Sequence, residues 1–365
     1  MIITTLNNGG KMKKIKVGII GAGGISHFHI EAYKTIPEVE VVAICDPNEA
    51  KLSFVAEKFG ILKRFENWEN IINENLDIVS ICSPNAFHAQ QSIAALKSGK
   101  HVICEKPVAI NVEETESIIN TVQQTNNKFM VAFCHRFASH SQFIKKMVEN
   151  NQMGEIYFAK ASCLRRRGIP GLGTWFTTKK LAGGGPLIDI GVHILDLAVY
   201  LMGCPDPRLV VGVTYNKFKN QAVDGGWPPI WSRVGDKPTG VFDVEDLAAG
   251  FIKFNNNATL FLEASWAGNS ESGLKIALMG TKNGVQYWTE ATPPLRVYGE
   301  MNGVVTDTIA EFPPVNTYRA EIEHFVNCVR NNTQPITTPK EILTVVKIIE
   351  GIYRSAETGR PVELT

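Results

Sequence analysis

Residues 14–46, KIKVGIIGAGGISHFHIEAYKTIPEVEVVAICD, decide the fold. A β-branched run at 14–20 leads into Gly21-Ala22-Gly23-Gly24-Ile25-Ser26, a helical stretch follows at 26–35, and a second apolar run at 39–45 ends in Asp46. This is the spacing G-x-G-x-x-G with Ser26 at the third glycine. The first glycine permits a tight turn, and the second lets backbone approach a pyrophosphate, whose charge then rests on the N-terminus of the next helix. The third position packs helix on strand, where serine is tolerated. Glycine turns alone are common. The preceding strand, the following helix and an acid at the end of the next strand make this one a dinucleotide site, with Gly21, Gly23, Gly24 and Ile25 at the phosphates. Asp46 is expected to hydrogen-bond the ribose hydroxyls and to repel a 2′-phosphate, and no arginine follows it, so NAD is expected over NADP.

Working outward, apolar runs at 77–82, 101–104 and 128–133 alternate with helical stretches at 49–59, 87–98 and 112–125. Strands alternating with helices predict a parallel, doubly wound sheet covered on both faces. This α/β Rossmann domain is expected over residues 14–135, after a flexible leader at 1–13 in which Met12 is a second candidate start. The rhythm then changes. A long strand at 154–166 and a continuous helix at 185–202 precede strands at 209–215, 247–254, 259–267, 274–280 and 284–289, and helices close the chain at 318–331 and 340–358. Residues 136–365 therefore read as an α+β domain with a large, open, mostly antiparallel sheet, its last helix expected to pack back on the first domain. The stretch Gly225–Trp231 (GGWPPIW) reads as a long loop.

Composition excludes several classes. The 365 residues carry 37 Lys plus Arg against 36 Asp plus Glu, which gives no electrostatic footprint for nucleic acid or an anionic membrane. No apolar run reaches the roughly 18 residues of a membrane helix. The seven cysteines are scattered and form no C-x-x-C pair, which argues against a disulfide framework or a zinc site and fits a reducing cytoplasm. His27 and His29, two apart on a helix, diverge, and no metal is expected.

Three segments carry chemistry. Ser83-Pro84-Asn85-Ala86-Phe87-His88 lies at the carboxyl end of a strand, where open parallel sheets bind ligands. Ser83, Pro84, Asn85 and His88 are candidate cofactor contacts, although Asn85 also reads as a helix cap. Next, Glu105-Lys106-Pro107 ends the following strand; Pro107 restricts Lys106 to an extended backbone, from which its ammonium could reach a substrate hydroxyl, while a surface lysine in a turn is the plain alternative. Third, GGGPLIDIGVHILD at 183–196 sets Asp189 and His193 on one face of an otherwise apolar helix, continued by Asp196 and Tyr200. Such a polar stripe must meet partners or a ligand, since burying it unpaired costs several kcal/mol. Histidine is the residue able to take and return a proton near neutral pH; a satisfied core His–Asp pair is the other reading.

At these residues the chain resembles the glucose-fructose oxidoreductase / inositol dehydrogenase / MocA family. GAGGIS at 21–26, Asp46, EKP at 105–107 and the 183–196 helix carry the likeness, with Glu245-Asp246-Leu247 and LFLEASWA at 260–267. The resemblance implies a dinucleotide domain followed by an α+β domain, whose open sheet commonly joins copies into a dimer or tetramer. It also implies oxidation of a secondary hydroxyl of a sugar, glycoside, anhydrosugar or cyclitol. Lys106 matches the catalytic lysine, and Asp189 and His193 match the acid and the proton-transfer histidine; Glu105 falls with the cofactor contacts. Cys134-His135-Arg136 matches a stretch near the substrate, with His135 where asparagine is usual, and Arg136 is a candidate substrate contact. Arg165-Arg166-Arg167 and Trp175-Phe176 look like those of levoglucosan-type and glucoside 3-dehydrogenases, which makes Arg166 and Trp175 substrate candidates; Trp227 and Trp231 could line a sugar pocket or serve as core.

The leading expectation is an NAD-dependent dehydrogenase in which His193 takes the hydroxyl proton, Lys106 stabilises the developing alkoxide and Asp189 positions substrate. An NAD-dependent glycoside hydrolase working by transient oxidation and elimination needs the same groups, and a non-catalytic dinucleotide-binding protein is the third reading.

Overall fold

The structure is a computed structural model that describes residues 14–236, 238 and 240–364; the expected leader at 1–13 lies outside the described residues. The first sheet contains β1 (Ile15–Ile20), β2 (Val39–Cys45), β3 (Lys63–Phe65), β4 (Ile78–Ile81), β5 (His101–Glu105) and β6 (Phe129–Ala132) in the order β3-β2-β1-β4-β5-β6, all parallel. β4 and β6 are buried along their whole length, the reason their sequences do not alternate. Helices α1 (Gly24–Lys34), α2 (Glu49–Phe59), α3 (Trp68–Ile72), α4 (His88–Lys97) and α5 (Val112–Gln124) connect these strands. Asn48 and Asn111 cap α2 and α5 by accepting the backbone N–H of Lys51 and Glu114. The order reverses between β1 and β4, the switch point at which such sheets bind ligands.

After α6 (Ser139–Glu149), a nine-stranded sheet is built from β7 (Ile156–Leu164), β8 (Pro207–Tyr215), β9 (Leu247–Phe254), β10 (Thr259–Ser265), β11 (Gly273–Gly280), β12 (Gly284–Trp288), β13 (Leu295–Met301), β14 (Val304–Ala310) and β15 (Val362–Glu363). Its order is β14-β13-β12-β11-β7-β10-β9-β8-β15, antiparallel except for the β7–β10 pair. Burial alternates strictly along β9, so one face covers the core and the other is open. The short α7 (Lys179–Ala182) leads into the long apolar segment. Lys179–Leu201 has the length and hydropathy of a membrane span, yet 94% of its apolar 18-residue stretch is buried within the protein.

The expected continuous helix at 185–202 is instead a π-helical turn at Leu187–Gly191 followed by α8 (Val192–Leu201). One wide turn places Gly191 against β10, where a Cβ would lie 2.9 Å from that of Ala264. The last two helices divide the expected return contact. α9 (Thr317–Asn331) lies on α1 and puts Ile322, Phe325 and Val326 into the core of the first sheet. α10 (Pro339–Thr358) packs on β8 and reaches α5, where Glu350 accepts the Val112 N–H at 3.0 Å.

Candidate active site

At the switch point Gly21 adopts φ +102°, and a Cβ there would fall 2.5 Å from the Cys82 carbonyl oxygen, so only glycine fits. Gly23 faces open space, with nothing within 4 Å of an added Cβ. The N-terminus of α1 has no side-chain cap, leaving its N–H groups for a ligand. These features border a cavity of about 330 Å³ walled by Gly21, Gly23, Gly24, Ile25, Asp46, Ser83, Pro84, Trp175 and Trp227. Asp46 is anchored at its edge: its oxygens accept the N–H groups of Ala22 and Asn48, both at 2.8 Å, while burial pushes its pKa up. The open cradle at Gly23 and the anchored carboxylate fit a dinucleotide.

The segment 227–236 lies across this cavity from the second half of the chain. Gly235 O accepts the Asn48 side-chain amide at 2.8 Å, Asp236 pairs with Lys51, and Trp231 packs edge-on against His27 at 4.3 Å. Pro228 and Ser232 press on the glycine turn so closely that a Cβ on Gly24 would meet each at 3.1 Å.

One strand over, at the same sheet edge, Lys106 donates from Nζ to the carbonyl oxygen (3.0 Å) and Oδ1 (3.1 Å) of Asp189. Trp266, fully buried, donates from Nε1 to the other carboxylate oxygen at 2.9 Å. Glu245 secures the π turn beneath, accepting the N–H of Gly185 at 2.9 Å and of Leu187 at 3.3 Å and the Tyr353 hydroxyl at 2.8 Å. Along the polar stripe, Asp189 thus meets Lys106 and Trp266. Asp196 accepts from Arg136 at 2.9 and 2.6 Å, and the Tyr200 ring lies 4.4 Å from that guanidinium. His193 differs: its ring meets His135 edge-on at 5.1 Å, and its buried Nδ1 has no hydrogen-bond partner among the described residues. Burial, then the charges of Lys106, His135 and Arg165, holds His193 well below the usual histidine range. Burial with Lys106 takes His135 down to about 4.

Both halves of the chain match family models. Residues 15–133 match the NAD-binding Rossmann fold, and residues 145–364 the C-terminal alpha/beta domain, of one oxidoreductase family. The chain belongs to the glucose-fructose oxidoreductase / inositol dehydrogenase / MocA family. It is 34% identical to D-glucoside 3-dehydrogenase of Escherichia coli over 96% of this chain and 97% of that protein. It is 29% identical to levoglucosan dehydrogenase of Pseudarthrobacter phenanthrenivorans over 78% and 76%. Among solved structures, levoglucosan dehydrogenase in complex with NADH superposes with a TM-score of 0.81 at 24% identity, covering 96% of this chain and 99% of that one, a likeness of fold.

Within this oxidoreductase fold the sequence candidates divide. Gly21, Gly23, Gly24, Ile25, Asp46, Ser83 and Pro84 meet at the cavity, and Lys106, Asp189 and His193 meet at the neighbouring strand end. Three expected cofactor contacts are turned to other work. Asn85 donates to the Ala182 carbonyl at 2.8 Å, joining the two halves of the chain. Both His88 ring nitrogens face backbone carbonyls, of Pro107 at 2.6 Å and Ser83 at 2.8 Å. Glu105 receives His29 at 2.9 Å and the Lys106 N–H at 3.2 Å. Arg136, expected at the substrate, is fully buried between Asp196 and Glu341, because its guanidinium is the counter-charge for two interior acids. Arg166 is exposed, whereas Arg165, half-buried just past the end of β7, donates to the Gly168 carbonyl at 3.2 Å and its charge acts on His193. Trp175 stands in the wall of this cavity, stacked on Phe176 at 3.8 Å. Trp227 shares that wall.

Sequence reasoning gave no site role to Trp266, Glu245 or Arg165, although all three lie in segments that carry the family resemblance, and of the strap at 227–236 it marked only Trp227 and Trp231. Trp266 gave a physical signal as well: a tryptophan in an apolar strand needs a partner for its N–H.

Proposed function

We propose that this protein oxidises a secondary ring hydroxyl of a pyranoside with NAD, a glucoside at its third carbon being the first candidate. The observation that carries this reading is His193, the one member of the polar stripe whose ring nitrogen lacks a partner, beside a Lys106–Asp189 pair already fastened by Trp266. The 34% identity to a D-glucoside 3-dehydrogenase supports the substrate class.

When bound, NAD supplies the hydride acceptor. The chain supplies the remaining parts. Gly21, Gly23 and the N-terminus of α1 would hold the pyrophosphate, and Asp46 the ribose. The Lys106 ammonium hydrogen-bonds the reacting oxygen and stabilises negative charge on it. A His193 ring nitrogen accepts the hydroxyl proton. Burial first, and then the positive charges of Lys106 and Arg165, keep His193 neutral, and those same charges favour an alkoxide beside it. Asp189 positions the lysine and a neighbouring sugar hydroxyl.

NAD over NADP is supported by the anchored Asp46 and by the cations in the cavity wall, which are already paired: Lys51 with Asp236, and Arg233 with Asp224. Oligomerisation through the open sheet face is supported by the half-exposed Phe261, Val211 and Val213, and a cytoplasmic location by seven unpaired cysteines.

The test is NADH absorbance with NAD or NADP and a panel of pyranoses, glycosides, anhydrosugars and inositols. A signal with NAD and a glucoside, lost in His193→Ala and Lys106→Ala variants that still bind NADH, is the expected outcome. Near wild-type turnover in both variants would sink the assignment. Aglycone release without net NADH would move the reaction to redox-assisted elimination.

A further inference from the structure

Cys134, His135 and His193 each place a ligand atom within 4.8 Å of the others. Cys134 and His135 lie on the turn after β6, at Cys134–Phe137, and His193 comes from α8, so nearly sixty residues of chain separate the two contributions. The set is one thiol and two imidazoles, the donors that suit a borderline-soft divalent ion in tetrahedral geometry. Three protein ligands leave a fourth position for water or a substrate oxygen, the arrangement of open rather than structural zinc sites.

A second observation points the same way. A buried polar atom ordinarily has a partner. His193 Nδ1 is buried and has none among the described residues, and the neighbouring imidazole meets it edge-on rather than by a hydrogen bond. Two imidazoles and a thiol converging without bonding one another are what a shared ion would connect. Lys106 is paired with Asp189, and ligation would convert the Cys134 thiol to a thiolate whose charge offsets part of the ion's.

We propose that Cys134, His135 and His193 form a Zn²⁺-class binding site that switches the enzyme off. The inhibitory part rests on the proton-transfer role given to His193 above. An imidazole whose lone pair is donated to a metal, and whose other nitrogen carries hydrogen, accepts no proton from a substrate hydroxyl. The ion and the reaction therefore compete for one side chain.

The experiment uses the full chain, stripped with a chelator and titrated with Co²⁺ as a visible stand-in. The expected result is one equivalent bound per chain, with tetrahedral d–d bands and a thiolate-to-cobalt charge-transfer band that disappears in Cys134→Ser; Zn²⁺ bleaches the spectrum. NADH formation falls about 100-fold or more on loading, the usual worth of a positioned proton acceptor, and returns on chelation. Absence of the thiolate band, its persistence in Cys134→Ser, or metal-loaded turnover equal to or above that of the stripped enzyme would overturn the proposal. Should Cys134→Ser fail to fold by circular dichroism, His135→Gln serves, read by the shift of the d–d bands on losing one nitrogen; an unchanged spectrum counts against the site. A stripped enzyme silent with every sugar but showing the thiolate spectrum would refute the dehydrogenase reading and uphold the site.

Discussion

Trp266→Phe removes a single N–H donor from the carboxylate that organises the site. Trp266 Nε1 donates to Asp189 Oδ2 at 2.9 Å, and Trp266 is 0% and Asp189 8% exposed, so water does not replace the lost donor. A hydrogen bond to a charged group contributes about 1.5–3 kcal/mol. At 1.36 kcal/mol per decade of rate, a loss felt wholly in the transition state lowers kcat/KM by roughly 10- to 150-fold. The smaller ring also leaves a void on the indole side, which lowers folding stability by an amount measured separately. Trp266 lies outside the wall of the dinucleotide cavity, so NADH affinity should hold. The assay pairs initial rates of NADH formation with NADH fluorescence titration and urea unfolding. A double variant with Asp189→Ala should be no worse than Asp189→Ala alone, because both changes remove the same interaction. Wild-type kcat/KM, within twofold, in folded Trp266→Phe would refute the idea that this indole positions Asp189. Additive losses in the double variant would refute it as well.

Arg136→Met should act on stability and leave sugar KM unchanged in the folded fraction: it strands Asp196 and Glu341 in the interior at a cost of about 3–5 kcal/mol, read from the urea midpoint. Gly24→Ala should raise the Kd for NADH by about tenfold, since its Cβ forces Pro228 and Ser232 away from the cavity; overpacking costs about 1–3 kcal/mol, and isothermal titration would measure the change. Stability should fall in mild acid. His27, His135 and His140 are each pushed down from 6.5 to about 4, chiefly by burial, so the folded chain binds fewer protons than the unfolded chain in that interval. Their contribution is complete above pH 6.5 and is lost as the pH drops through 4, at most about 3 kcal/mol for His135; urea midpoints across that range would show the slope, and a flat profile would contradict it.

The cofactor half of the site was legible because its determinants are local. A glycine turn, the helix after it and an acid at the next strand end lie within 33 residues, and the backbone conformations they require are written in the residue types themselves. Lys106 was legible for the same reason, at a strand end beside a proline. The polar stripe at 189–200 was legible as a need for partners, but the partners were not. Asp196 and Arg136 lie 60 residues apart, and Asp189 and Trp266 lie 77 apart. The same periodicity allows Arg136 to face substrate or to neutralise buried acids; the second acid, Glu341, comes from α10, more than two hundred residues on.

By itself, then, the sequence determined the parallel sheet and the dinucleotide turn and marked Lys106, Asp189 and His193 as candidates, since these readings rest on backbone sterics and hydrophobic period over short spans. Only the tertiary structure decided that Arg165 is half-buried while Arg166 is exposed, that the 185–202 helix widens into a π turn, that 227–236 straps the cavity, and that His135 meets His193. Those outcomes depend on which distant surfaces pack together, and packing between elements far apart in the chain leaves no period in either of them.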